Sequence, residues 1–441
     1  MQRGRYFMKK KLGLVMLSTL MMFTLAACGG NAATNSGNQS SNVTGSQTNT
    51  DETAAMDELK PEEGAELRLW TFITDLKPFT DYALKEFEQK YNIKVTVEDV
   101  GYWDSIKRLS TDGPAGVGAD VFGLQTPDVA NAVQSGLVLP NDYFEEDTKS
   151  MNKPDTIAAA THDGILYGYP WNVYTFSLYY NKDLVKDAKL ETWDDIIAFS
   201  KKFNDVKNNK FGFLYEPKTS AFDVAFMTGY GGYIFGNNET DVNDIGINNE
   251  GSVKGMQFIQ SLREIIPLEL ADVTNNLKEG LWSQGKLAIN MDGSWAIGEH
   301  NKQPFPVGVL PMPKLAGGEN AMPLAGSTGY YVSSYSKYPN AAKLLAHFIT
   351  TKEMQIKNNE LTGALPAADV TGTEQGMRND ELTQGFLKQI ASSHRFPGLY
   401  ETKYVWPALD AAIADVWKGG DPKAALDKAA GKLKTDIANQ K

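Results

Sequence analysis

The sequence predicts an α/β protein of two lobes, each a sheet flanked by helices. Three observations carry that prediction. A strand-like run, a helix-like run and a second strand-like run follow one another immediately after residue 65. The two patterns then keep alternating to the C-terminus with no internal repeat. About 375 residues carry this patterning, more than one hydrophobic core ordinarily serves.

Taken in order, the chain begins with a segment of different character. Arg3, Arg5, Lys9, Lys10 and Lys11 precede an apolar run from Leu12 to Leu25, followed by Ala26-Ala27-Cys28-Gly29. That run is too short for a comfortable bilayer span, which takes roughly 20 residues. Basic residues before it and small residues after it mark residues 1–27 as a secretory signal, with either Met1 or Met8 as its start. Leu25-Ala26-Ala27-Cys28 resembles a bacterial lipobox, in which the cysteine is acylated and becomes the new N-terminus; a buried free cysteine, or an incidental one beside a cleavage site, is the other reading. Two or more acyl chains anchor stably where one is marginal. Residues 28–63 read as a tether: Gly29 to Thr50 has no charged or aromatic side chain and cannot bury enough to fold. At about 5–6 Å × √n its reach is roughly 30 Å.

From Glu66 the pattern changes. Leu67-Arg68-Leu69-Trp70 alternates like a strand. Phe79, Tyr82, Ala83, Phe87 and Tyr91 have helical spacing, and Ile93 to Val97 alternates again. This is a β-α-β unit, the building block of a parallel sheet. Further strands are expected at Ala119–Leu124, Ile165–Tyr169, Phe176–Asn181, Lys286–Asp292 and Gly308–Leu310. Helices are expected at Thr192–Asn204, Val253–Ile265, Asn340–Thr350, Asp380–Ser392, Pro407–Lys418 and Pro422–Asn439. Thr192, ahead of Trp193-Asp194-Asp195, is a good N-cap.

Composition narrows the function. With 441 residues, 42% hydrophobic and 22% charged, the chain is neither collagenous nor largely disordered, and its single cysteine excludes a disulfide-stapled scaffold. The formal net charge is −11; without the signal, 38 basic side chains face 54 acidic ones. Such a surface repels phosphate backbones, so no nucleic-acid partner is expected. His162, His300, His347 and His394 lie in no metal-ligand spacing, and neither a metal nor a cofactor is expected. No Gly-x-Ser-x-Gly elbow appears. The glycine-rich stretch Asp112 to Gly118 lacks the Lys-Ser/Thr ending of a phosphate loop and reads as a plain loop. Acids are plentiful, but no motif marks a glycosidase pair.

Tryptophan is the informative residue. Trp70, Trp103, Trp171 and Trp295 lie at or just past strand-like runs, and Trp406 precedes Pro407 and a helix. In open α/β sheets the carboxyl ends of strands line the ligand crevice. Aromatic faces there stack on the apolar faces of sugar rings while carboxylates take the hydroxyls. Core packing is the competing use of tryptophan. It is the expected one for Trp193, Trp282 and Trp417 at helix positions, whereas Trp295 and Trp406, beside Gly or Pro at element ends, are expected at a site.

Several runs, in one order along the chain, carry a resemblance. They are Leu67 to Thr71 leading to Asp75; Phe87 to Val97; Gln134-Ser135-Gly136-Leu137; Gly168-Tyr169-Pro170 through Leu178-Tyr179-Tyr180-Asn181-Lys182-Asp183-Leu184; Thr192-Trp193-Asp194-Asp195; Gly231-Gly232-Tyr233; Gly293-Ser294-Trp295-Ala296; Gly308-Val309-Leu310-Pro311; and Gly363-Ala364-Leu365-Pro366. The chain resembles a bacterial extracellular solute-binding protein of the maltose/maltodextrin-binding type, the family 1 sugar-binding lipoprotein of an ABC importer. The resemblance implies the periplasmic-binding-protein fold, two lobes joined by three hinge crossovers that close over the ligand. The crossovers are expected near Trp171–Val173, Leu310–Met312 and Leu361–Leu365. The lobes would be 64–172 plus 313–360 and 173–312 plus 361–441.

The resemblance also implies a site. Asp75 matches an acid that binds a sugar hydroxyl, with Lys77 beside it and Trp171 at the Tyr-Pro crossover. Trp295 and Trp406 match stacking tryptophans, and Glu216 of Glu216-Pro217 matches an acid contacting hydroxyls. Three positions depart: Tyr174 stands where maltose binders carry a glutamate, Leu124 replaces a tryptophan with Asp128 only approximating the acidic-basic pair nearby, and Asp410 replaces an arginine one turn past Trp406. The function implied is capture of an oligosaccharide and delivery to a membrane permease by a lipid-anchored monomer that is not an enzyme. The alternatives are a receptor of this scaffold for another small solute, disfavoured as an anion binder because no Arg cluster offers a clamp, and a surface glycoside hydrolase.

Overall fold

The computed structural model describes residues 58–371 and 376–440, the side chain of Asp75 excepted. The signal, Cys28 and most of the tether lie outside the described residues. Two main sheets organise the rest.

The strands are β1 (Glu66–Thr71), β2 (Lys94–Asp99), β3 (Val121–Gln125), β4 (Thr161–His162), β5 (Ile165–Leu166), β6 (Tyr169–Tyr174), β7 (Phe176–Asn181), β8 (Phe211–Leu214), β9 (Asp241–Ile245), β10 (Leu287–Gly293), β11 (Val307–Leu310), β12 (Leu324–Val332), β13 (Leu365–Pro366) and β14 (His394–Arg395). The first sheet runs β13-β6-β12-β3-β1-β2, with β14 beside β12. β1 lies parallel between β2 and β3, Leu69 facing Val97 on one side and Val121 on the other. The expected β-α-β unit is therefore present. Its helix, α1, spans Ile73–Tyr91 and begins six residues before the predicted start, because Pro78 is carried inside the helix instead of ending it. Phe79, Ala83 and Phe87 point from α1 into a core with Leu67, Leu69, Val95 and Val121. Asn92 closes the helix in the left-handed region, φ 55°, its N–H donating to the Glu88 carbonyl.

The second sheet runs β11-β7-β10-β8. β10 is buried at every position, which is why it reads as an apolar run instead of an alternating one. Trp193 has no exposed surface and meets the rings of Phe213, Phe226 and Phe258 edge-on at 5.0–5.5 Å. Its helix is capped as expected: the Asp195 N–H donates to Thr192 Oγ1 at 3.1 Å and the Thr192 N–H to Asp195 Oδ2 at 2.9 Å.

The chain passes between the sheets at Thr175, between β6 and β7, and again between β11 and β12. Thr175 is fully buried and donates its hydroxyl to the Leu324 carbonyl at 3.0 Å, lacing these two passages together. The third passage follows β13, whose Leu365 pairs with Val173 in the first sheet, slightly beyond the expected stretch.

Unpredicted elements include β8, β12 and the helices Tyr102–Asp112 (α2), Ser220–Thr228, Asn275–Ser283 and Lys352–Thr362. One loop is strained: Asn237, Asn238 and Glu239 all have φ between 50° and 66°. Such a conformation costs on the order of 1–3 kcal/mol per residue. It buries the Glu239 carboxylate, which accepts from the N–H groups of Ile234 and Phe235 and meets His394 Nε2 at 2.7 Å, fixing β14.

Candidate functional site

Tyr174, at the end of β6, is 5% exposed and forms the middle of an aromatic row. Its ring centroid lies 6.4 Å from Trp295 on one side and 6.2 Å from Phe396 on the other, and Phe396 lies 5.4 Å from Trp406. β14 delivers Phe396, which follows it directly. The row thus joins Trp295 and Trp406, the two tryptophans expected at a site, through two buried rings. Trp295 stays 43% exposed and Trp406 is half-buried. Phe176 braces Trp295 from below, edge-on at 5.5 Å.

Asp128 ends the short turn after β3. Burial pushes its carboxyl up to about 6. Burial also raises the phenols of Tyr174 and Tyr331, and in each the charge of Asp128 adds to the effect. The Tyr174 hydroxyl is buried without a hydrogen-bond partner.

Glu216 follows β8, half-buried, its carboxyl raised by burial and partly restored by the positive charge of Lys278. Lys278 has no exposed surface; its Nζ stands 3.1 Å from Asp292 Oδ2 and 3.5 Å from Glu279 Oε1 and donates to the Met291 carbonyl at 3.2 Å. Burial alone would lower the ammonium, but Asp292, Glu279 and Glu216 outweigh it and raise it. Burial would raise the Asp292 carboxyl, and Lys278, His300 and the Gly293 N–H instead hold it well below the usual range. Ligand atoms of Glu279, Asp292 and His300 lie within 4.8 Å of one another, a donor set suited to a cation. The Lys278 ammonium already stands among those donors.

This charged knot is the pedestal of Trp295. Asp292 Oδ1 accepts the Gly293 N–H at 2.7 Å, Tyr179 Oη donates to the Gly293 carbonyl at 2.9 Å, and the Ser294 N–H donates to the Thr175 carbonyl at 3.0 Å. Gly293 is required because the indole folds back over it: a Cβ there would stand 2.2 Å from the Trp295 ring.

Of the other expected residues, Trp171 and Asp410 fall outside the aromatic row, and Asp75 and Lys77 lie on α1. Trp171 lies in the core of the first sheet, 3% exposed and stacked on Tyr330 at 5.9 Å, because β6 turns this face inward. Asp410 accepts the Ser220 N–H at 3.1 Å and so caps the helix Ser220–Thr228. Lys77 is exposed on α1 and paired with Asp81 at 2.8 Å. Asp75 lies on the first turns of α1, and its side chain is outside the described set. Sequence reasoning did not single out Phe396, Phe176 or Lys278. Phe396 sits in a loop without periodicity, and Lys278 reads as one charge among several on an ordinary helix.

Two lobes laced by crossing strands, with aromatic and carboxylate groups at strand ends, define a solute receptor of the periplasmic-binding-protein fold. The chain belongs to the bacterial extracellular solute-binding protein family, whose model matches residues 82–384. It is 31% identical to the galactooligosaccharide-binding protein of Bacillus subtilis (strain 168) over 438 residues, 98% of each chain. It is 28% identical to the maltodextrin-binding protein MdxE of the same organism, over 78% of this chain and 83% of that one. A cyclo/maltodextrin-binding protein solved with maltotetraose superposes with a TM-score of 0.71 at 30% identity, covering 84% of this chain and 97% of the other.

Proposed function

We propose that the protein is a lipid-anchored receptor that binds a linear oligosaccharide of the maltodextrin or galacto-oligosaccharide kind between its lobes and delivers it to the permease of an ABC importer. The aromatic row from Trp295 to Trp406 carries this reading. It offers two partly open indole faces held on a buried aromatic floor, with the carboxyls of Asp128 and Glu216 belonging to the two lobes. Indole faces cover the CH faces of sugar rings, and carboxylates accept from hydroxyls. The names of the relatives support the ligand class, and the lipobox-like run before Cys28 supports the anchor. The lobes are 64–174 plus 313–366 and 175–312 plus 367–441, with β6 and β13 kept whole in the first. Asp75 and Lys77 complete the first lobe's part of the site, and the chain binds without turnover as a monomer.

Calorimetric titration with maltose, maltopentaose and galactose oligosaccharides tests this. Trp295→Ala and Trp406→Ala each weaken the best ligand about tenfold or more, as truncated aromatic anchors do, while apo unfolding midpoints move little. Trp193→Ala does the reverse, costing about 3–5 kcal/mol of stability. Sugar shortened during a day's incubation, at a rate lost in Asp128→Asn or Glu216→Gln, would replace the receptor reading with a glycosidase. Normal binding by both tryptophan variants would place the site elsewhere.

A further inference from the structure

Among the described residues only two tryptophans expose more than a third of their surface, Trp295 at 43% and Trp103 at 64%. The two are built alike. Each ends a Gly-x-Trp run that closes or follows a strand: Gly293-Ser294-Trp295 at the end of β10, and Gly101-Tyr102-Trp103 just past β2. Each opens a helical turn, Trp103 as the second residue of α2. Each indole folds back over its glycine, so that a Cβ on Gly101 would stand 2.8 Å from the Trp103 ring, as one on Gly293 would crowd Trp295. Each leans on one phenylalanine, Trp103 on Phe72 at 5.7 Å and Trp295 on Phe176 at 5.5 Å. The residue between glycine and tryptophan is anchored in both. Tyr102 is buried with its hydroxyl 3.4 Å from Thr71 Oγ1, which in turn meets Tyr330 Oη at 2.9 Å.

We infer that Trp103 is a second stacking platform, on the first lobe, for a sugar ring beyond those held along the row from Trp295 to Trp406. Phe72 and Trp103 follow the carboxyl ends of the parallel strands β1 and β2, where an open sheet presents its ligand crevice. β2 is the edge strand of that sheet. It lies two strand spacings, about 10 Å, outboard of β3 and its Asp128 turn. The platform is therefore at the outer end of the crevice, which longer chains reach and a disaccharide at the inner site does not. A rigid indole left this open has a large apolar face to cover, and a pyranose ring matches it in size.

This rests on the oligosaccharide reading and adds chain length to it. The test is calorimetry with maltose against maltopentaose, and with a galactose disaccharide against its tetrasaccharide, on wild type, Trp103→Ala, Trp103→Phe and Trp295→Ala. Trp103→Ala should weaken the longer member of the bound series about tenfold and the disaccharide less than twofold, with Trp103→Phe restoring most of the loss. Trp295→Ala should weaken both lengths. Equal effects of Trp103→Ala on both lengths, or none on either, overturn the platform; the latter would leave Trp103 as a surface for protein contact. If wild type binds neither series, the oligosaccharide reading itself has failed. If wild type and Trp295→Ala behave as stated and Trp103→Ala does not, the platform alone has failed.

Discussion

Replacing Lys278 by methionine isolates the charged knot beneath Trp295. The stem is retained and the ammonium is removed from between Asp292 and Glu279, where it has no exposed surface. Breaking a buried pair by deleting one partner costs about 3–5 kcal/mol, because the remaining charge is left uncompensated. The size of the loss should depend on pH, and its direction follows from Asp292. In the wild type its folded-state pKa is depressed, so the group contributes stability above the unfolded carboxylate range and loses it only as pH falls below that range. In Lys278→Met the largest opposing influence is gone, and burial, countered only by His300 and the Gly293 N–H, lifts the carboxyl above its unfolded value. The folded variant then binds a proton that the unfolded chain releases, and its stability falls as pH rises from about 4 towards neutrality. The penalty is therefore largest at pH 7 and shrinks by up to about 1.4 kcal/mol per pH unit on acidification. Urea unfolding followed by tryptophan fluorescence between pH 5 and 8 measures it, with Lys278→Met/Asp292→Asn as the second arm, which should recover much of the loss. A penalty below about 1 kcal/mol that is flat in pH, or a double variant worse than the single, would refute the assignment of Lys278 as the counter-charge.

Asp128 behaves in the opposite sense: burial lifts its carboxyl to about 6, so the folded state is favoured as pH falls from 7 towards 4. Asp128→Asn should therefore gain on the order of 1–2 kcal/mol over wild type at pH 7.5 and nothing at pH 4; equal stability at both pH values would contradict the burial of this acid. Cys28→Ala should be shed into the medium or stay unprocessed, and membrane fractionation identical to wild type would exclude the anchor.

Much of the fold was legible because alternation and helical spacing report directly on which face is buried. β1, α1, β7, β10 and the Thr192 cap follow from a few residues each. β12 was missed because Gly326 and Gly329 interrupt its apolar pattern; the Tyr174 hydroxyl would stand 2.5 Å from a Cβ at Gly326. The site was half legible. Trp171 and Trp295 look equivalent in sequence, each at a strand-like run beside Gly or Pro, yet one is stacked on Tyr330 in the core and the other stands open. The difference is which face of the sheet the residue meets, and that depends on pairing partners more than a hundred residues away. Lys278 was illegible for the same reason: its counter-charges Asp292 and Glu216 lie on other elements.

The passage of the chain back and forth between the sheets also governs when each lobe can form. Ser327 of β12 bonds Asn172 of β6 across 155 residues, and Thr71 meets Tyr330 across 259. The second sheet is contributed by the stretch between β6 and β12, so it is in effect an insertion that must be spanned before the first sheet gains its middle strand. Closing such long loops costs chain entropy before any contact rewards it, which slows folding. A nascent chain that ends between residues 175 and 323 has β1, β2, β3 and β6 but not β12, the strand that joins β3 to β6. The first lobe therefore remains incomplete until about three-quarters of the chain exists, whereas every strand of the second sheet has been made by Leu310, so the inserted lobe has its sheet before the lobe that flanks it in sequence.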